Sequence, residues 1–216
     1  SIQKYKDIIS AIKLKLEDQK IDKFPKIIAV TKTFHIEKIL PLIEYGHLDY
    51  GENKVQEALD KWKQIKLKNS DIKLHLIGKL QTNKVKFALK IFDFIHSVDS
   101  KKLANKIYDE QLKQNKKVKI FIQVNLGNEV QKSGVLKNDL NELYLYCMSL
   151  KLNVVGLMCI PPVNLDPDPF FHELNELNKN LSLKDLSIGM SSDYIKAVEN
   201  HSTYLRVGSA IFGNRT

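Results

Sequence analysis

The chain has 216 residues, 43% of them hydrophobic, and a formal net charge of +9 at pH 7. That length suits one domain over 1–216 with a buried core of its own, and the pattern contains no linker, repeat or low-complexity tract. The charge comes from lysines interspersed with acids, as in KDIISAIKLKLEDQK, without any known nucleic-acid-binding signature. A solvated lysine-rich surface is therefore expected rather than a nucleic-acid partner.

In chain order, the first segment sets Ile2, Tyr5, Ile9, Ile12 and Leu16 at helical spacing. It is amphipathic, not a signal peptide, and no apolar run approaches the roughly 20 residues a membrane-spanning helix needs, so a cytoplasmic protein is expected. Eight strand-like runs follow: KIIAVT from Lys26, HLDYG from His47, KLHLIG from Lys73, FIHSV from Phe94, VKIFIQVN from Val118, NVVGLMCI from Asn153, DLSIG from Asp185 and TYLRVG from Thr203. Between them lie helical stretches such as NKVQEALDKWKQI, where Val55, Ala58, Leu59, Trp62 and Ile65 form one buried stripe. After the sixth run, PPVNLDPDP (Pro161 to Pro169) predicts an irregular loop. Eight βα units in a chain this short predict an α/β fold, a single-domain TIM (β/α)8 barrel with an extra N-terminal helix covering it. Cys147 and Cys159 belong to no CxxC motif and no Cys/His cluster, so both are expected in the core, with neither a disulfide nor a zinc site.

In such a barrel the working groups sit at the carboxyl ends of the strands. Thr31 and Lys32 end the first run, Gly51, Glu52 and Asn53 the second, Gly189, Met190, Ser191 and Ser192 the seventh, and Arg206, Gly208 and Ser209 the eighth. A lysine leaving an apolar strand loses solvation, which favours the neutral, nucleophilic amine. A solvated strand terminus is the ordinary alternative. Glycine and serine turns after the last two strands present backbone N–H groups to an anion, in loops where barrels often bind phosphate. A lysine on the first strand facing such a cradle suits a phosphorylated aldehyde. Only two arginines occur, Arg206 and Arg215, in a chain that otherwise uses lysine freely, which suggests a site that needs a planar guanidinium. His75 and His96, inside strands, read as packing or hydrogen-bonding residues rather than metal ligands, and no metal site is expected.

The segments IIAVTKTF, YGENKVQEALDKW, HLIGKLQTNK, FIHSVDSKKLA, FIQVNLGNEVQKSGV, VVGLMCIPP, LSIGMSSDY and LRVGSAIFGNR together resemble the YggS/PROSC family. These are pyridoxal 5'-phosphate (PLP) homeostasis proteins, similar in fold to the N-terminal domain of alanine racemase. The resemblance implies PLP held as a Schiff base on Lys32, with Asn53 near the ring, and Ser191, Gly208 and Ser209 around the phosphate. It also implies Arg206 against the pyridine nitrogen. Phe34, His35 and Lys79 depart from the family pattern around the pocket mouth. Lys132, and Gln81, Asn83 and Lys84 in LQTNK, are left open as further contacts.

A racemase needs a second base opposite the lysine, and the chain ends at Thr216 without an obvious source for one. The expectation is accordingly a cytoplasmic, monomeric PLP carrier acting in vitamin B6 homeostasis, with PLP-dependent apoenzymes as partners and no membrane. A slow PLP-dependent racemase or lyase and a lysine-rich anion or nucleic-acid binding module remain the alternatives.

Overall fold

A computed structural model describes residues 1–213. Helix α1 (Ile2–Gln19) leads into β1 (Lys26–Val30), α2 (Ile36–Glu44), β2 (Asp49–Glu52), α3 (Val55–Lys68) and β3 (Lys73–Leu76). A 3-10 turn (Thr82–Lys84) opens α4 (Val85–Ile91), followed by β4 (Phe94–Val98), α5 (Lys101–Gln114), β5 (Lys119–Asn125) and the short β6 (Val135–Leu136). The chain continues through α6 (Leu140–Ser149), β7 (Asn153–Met158), α7 (Asp168–Asn180), β8 (Asp185–Met190), α8 (Tyr194–Glu199), β9 (Tyr204–Val207) and α9 (Ser209–Phe212).

Pairing runs β4-β3-β2-β1-β9-β8-β7-β5, and β5 also pairs with β4, so eight parallel strands close into a barrel. All eight runs read from the sequence become its staves. β6, which the sequence pattern did not announce, adds a two-residue pairing with Val124 and Asn125 at the carboxyl end of β5.

The strands read as unbroken apolar runs because both their faces are covered. In β1, Ile27 and Ala29 pack in the layer beneath the helices, whereas Ile28 joins Phe94, Phe121, Met158 and Tyr204 inside the barrel. Helix α3 buries Val55, Ala58 and Trp62 as its stripe predicted. At the start of α5 the Ser100 hydroxyl accepts the Leu103 N–H (3.2 Å), satisfying one orphan donor of the first turn.

Two expectations need correction. The segment 161–169 is not irregular throughout, because Asp168 and Pro169 already open α7. Proline is tolerated there, since the first helical turn has no use for its missing N–H. Helix α1 packs against α8 and α9 on the outside of the barrel, and it buries Tyr5, Ile8, Ile12 and Leu16, with Ile8 taking the place foreseen for Ile9. Arg215 lies outside the described residues. Among the described residues, no helix is long and apolar enough to cross a membrane.

Candidate functional site

A cavity of about 540 Å³ opens at the carboxyl ends of the strands. Lys32 enters it from the end of β1, Asn53 from β2, Ser191 from β8, and Arg206, Gly208 and Ser209 from β9 and its turn. All six residues singled out from the sequence therefore face one space. Val30, Ile77, Ile160 and Met190 supply its apolar walls.

The wall that carries Lys32 is braced from outside the barrel. Glu52 is fully buried, and its Oε1 accepts hydrogen bonds from Thr31 Oγ1 (2.6 Å), Lys61 Nζ (2.9 Å) and Trp62 Nε1 (2.9 Å). Lys61 Nζ also donates to the Thr31 carbonyl (2.8 Å) and to Glu57 (2.9 Å), while Glu57 accepts the Thr33 N–H (2.6 Å). Backbone groups immediately before and after Lys32 are thus tied to one ionic cluster on α3 and β2. The clamp holds Thr33 at φ 67, in the left-handed region that a β-branched residue disfavours. Burial alone would raise the Glu57 carboxyl, but the hydrogen bonds from Lys61 and Thr33, together with the charges of Lys61 and Lys54, hold the pKa below its ordinary value.

The opposite wall is built from small residues. Ser191 Oγ accepts the N–H groups of Gly208 and Ala210, each at 3.2 Å, so two backbone donors converge on a single oxygen position. A Cβ at Gly208 would lie 3.2 Å from the Val30 carbonyl and 3.3 Å from its Cβ, so glycine lets this turn run close against β1. Gly189 sits at φ 94, and a Cβ there would come within 2.4 Å of Ala197.

Arg206 forms part of the floor and is 4% exposed. Its Nη1 donates to the Ser187 carbonyl (2.7 Å) and hydroxyl (2.6 Å), and its Nη2 to the Cys159 carbonyl (2.9 Å). Burial lowers the guanidinium pKa to about 10, which leaves it charged at neutral pH. The same burial lifts the thiols of Cys147 and Cys159 to about 12, so both cysteines are protonated core residues, as expected.

The remaining candidates fall elsewhere. Lys132 pairs with Glu129 (2.7 Å) and lines an adjoining pocket of about 310 Å³ that shares Asn53, Ile77 and Ile160 with the main cavity. Gln81 and Asn83 point to solvent at the 3-10 turn. His75 and His96 hydrogen-bond to each other (3.0 Å) inside the barrel. Sequence reading overlooked Lys61, Glu57 and Ser187. Lys61 looked like one more solvated lysine, and the available signal was its spacing: four residues after Glu57 and beside Trp62, on the face of α3 that turns inward.

The alanine racemase N-terminal domain model matches residues 13–216. A pyridoxal phosphate homeostasis protein of Aquifex aeolicus is 40% identical over 200 residues, covering 88% of this chain and 87% of that one. The chain belongs to this family. PipY of Synechococcus elongatus PCC7942, solved with PLP bound, superposes with a TM-score of 0.82 at 32% identity, over 94% of this chain and 100% of that one. An alanine racemase of Clostridium difficile 630 shares the fold alone, with a TM-score of 0.71 at 12% identity over 95% of this chain and 57% of its own. The relationship agrees with the closed parallel barrel and with the resemblance read from the sequence motifs.

Proposed function

We propose that this chain is a PLP holder. In this reading the Lys32 amine would condense with the cofactor's aldehyde, releasing water, and the Gly208 and Ala210 N–H groups, with Ser191 and Ser209, would hold its phosphate. Asn53 would stand beside the ring and Arg206 toward the pyridine nitrogen. The observation that carries the reading is the convergence of an amine, a pair of aligned N–H donors and a buried guanidinium on one cavity. The residues fit the group in kind: apolar walls for an aromatic ring, donors for a phosphate oxygen, and a volume in the usual range for small-molecule sites.

When bound, PLP supplies a reactive aldehyde and an electron-withdrawing ring. Charged Arg206 disfavours a proton on any nitrogen it faces, which weakens that ring as an electron sink. Among the described residues that line the cavity, Lys32 and Arg206 are the ionisable ones, and a guanidinium is no base. Proton transfer at both faces of a substrate therefore lacks a second group here, which supports storage and delivery over turnover. We read the chain as a monomeric single domain acting in the cytoplasm, where its two free, buried thiols stay reduced, and handing PLP to PLP-dependent apoenzymes. Mixing the loaded protein with such an apoenzyme should restore its activity faster than PLP dissociates into solution. Exchange of an amino acid's α-proton in deuterated water at a rate above that of free PLP would instead make the chain an enzyme.

A further inference from the structure

The barrel interior contains a polar line that the cavity does not account for. Asp49 Oδ1 on β2 lies 2.9 Å from His75 Nε2 on β3. His75 Nδ1 lies 3.0 Å from His96 Nε2 on β4, and His96 Nδ1 lies 2.9 Å from Ser187 Oγ on β8. Ser187 Oγ in turn accepts from Arg206 Nη1 on β9. Five residues on five strands thus cross the barrel in one unbroken series. Phe94 stacks on the His75 ring (centroids 4.2 Å apart) and Phe121 on the His96 ring (4.3 Å), so apolar faces shield the line.

Its two ends fix every proton in it. A carboxylate only accepts and a guanidinium only donates. His75 must therefore carry its proton on Nε2 to serve Asp49. As a neutral ring it then accepts at Nδ1, which requires the proton of His96 on Nε2. That leaves His96 Nδ1 as an acceptor, and only the Ser187 hydroxyl can fill it. The lone pairs of Ser187 are then left for Arg206. Burial supports neutral rings: it lowers the pKa of both histidines, and for His96 the charge of Arg206 acts in the same direction. Burial raises the Asp49 carboxyl, but its hydrogen bond to His75 and the nearby positive charge of Lys26 act against that, the net shift is downward, and it stays ionised.

We propose that Asp49, His75, His96 and Ser187 form a one-way hydrogen-bonded relay that positions the Arg206 guanidinium at the floor of the cavity. The relay also places a compensating negative charge at the far end of an otherwise neutral path. These are positioning residues: none of the four lines the cavity, and they act through Arg206. The inference rests on the reading of the cavity as a PLP site for its effect on cofactor, but not for its proton pattern.

The test uses the full chain labelled with ¹⁵N and three variants. His96→Leu breaks the line. His96→Gln keeps an acceptor toward Ser187 and a donor toward His75, so it can rebuild the same direction. Asp49→Leu removes the acceptor that imposes the direction. Imidazole ¹⁵N shifts should show His75 and His96 as neutral Nε2–H tautomers in the wild type, with that assignment lost in Asp49→Leu. The Arg206 side-chain N–H signals, readily assigned in a chain with two arginines, should be resolved in the wild type and in His96→Gln and averaged by rotation in His96→Leu. With PLP, His96→Leu should weaken the apparent Kd by about three- to tenfold, the effect of losing one hydrogen bond's ordering. It should also shift the pH midpoint of the bound cofactor's absorbance, and His96→Gln should restore both. An Nδ1–H tautomer or an imidazolium at either histidine in the wild type overturns the relay, as do unchanged Arg206 signals in His96→Leu. If the wild type takes up no PLP, the functional reading fails while the tautomers and Arg206 signals still decide on the relay.

Discussion

The two walls of the cavity are held in opposite ways. Lys32 is fixed by charge: an ionic cluster of Glu52, Glu57 and Lys61, outside the barrel, grips the peptides on either side of it. Arg206 is fixed by neutral acceptors inside the barrel, with its nearest carboxylate in the series, Asp49, standing three residues away through Ser187, His96 and His75. The contrast follows from what each residue must do. For Lys32, fixing the peptides on either side sets where its side chain enters the cavity. A guanidinium that must stay charged in a dry interior needs acceptors with fixed geometry, and a direct carboxylate partner would neutralise the field it projects.

That contrast can be broken most severely at Glu52. Glu52→Ala leaves Lys61, Trp62 and Thr31 without their shared acceptor, and losing one partner of a buried ion pair costs about 3–5 kcal/mol. Urea unfolding should register that loss, together with weakened PLP uptake through the displaced Lys32.

Acid should act next, and on the other wall. The pKa values of His47, His75 and His96 are all lowered in the folded state, chiefly by burial. Below about pH 6.5 the unfolded chain therefore takes up protons that the folded chain refuses. The stability these neutral rings confer is complete above that pH and is lost as the pH falls toward the folded values. Thermal melting at pH 5.5 should lie several degrees below that at pH 7.5, with a smaller drop in His96→Leu.

Ser191→Ala should have a smaller and state-dependent effect. It strips the N–H groups of Gly208 and Ala210 of their acceptor, at a cost of about 1 kcal/mol, as for loss of a cap. Because Ser191 also stands at the proposed phosphate position, the variant should weaken PLP uptake as well, whereas the free protein shows the loss of stability alone.

The barrel was legible because its strands are buried on both faces, so that KIIAVT, FIHSV and VKIFIQVN stand out as apolar runs between helical stretches. β6 was not, since a two-residue pairing carries no periodicity. The residues that line the cavity were legible where a rare type marked them, as with Arg206, or where a glycine and serine turn repeated after consecutive strands. The residues that brace them were hidden by the composition: Lys61 is one lysine among many, and its role follows only once α3 packs it against the end of β1. His75 and His96 hydrogen-bond inside the barrel, as their place within strands suggested. Their link to Arg206 depends on contacts between residues about 90 positions apart, which no local pattern carries.

The central claim is the bond to Lys32. The protein incubated with PLP, reduced with borohydride and mapped by mass spectrometry should carry the pyridoxyl group on the peptide containing Lys32, with Lys32→Ala showing none there and losing the visible absorbance of the cofactor. Full covalent retention in Lys32→Ala, or labelling of another lysine in the wild type while Lys32 stays unmodified, would contradict it.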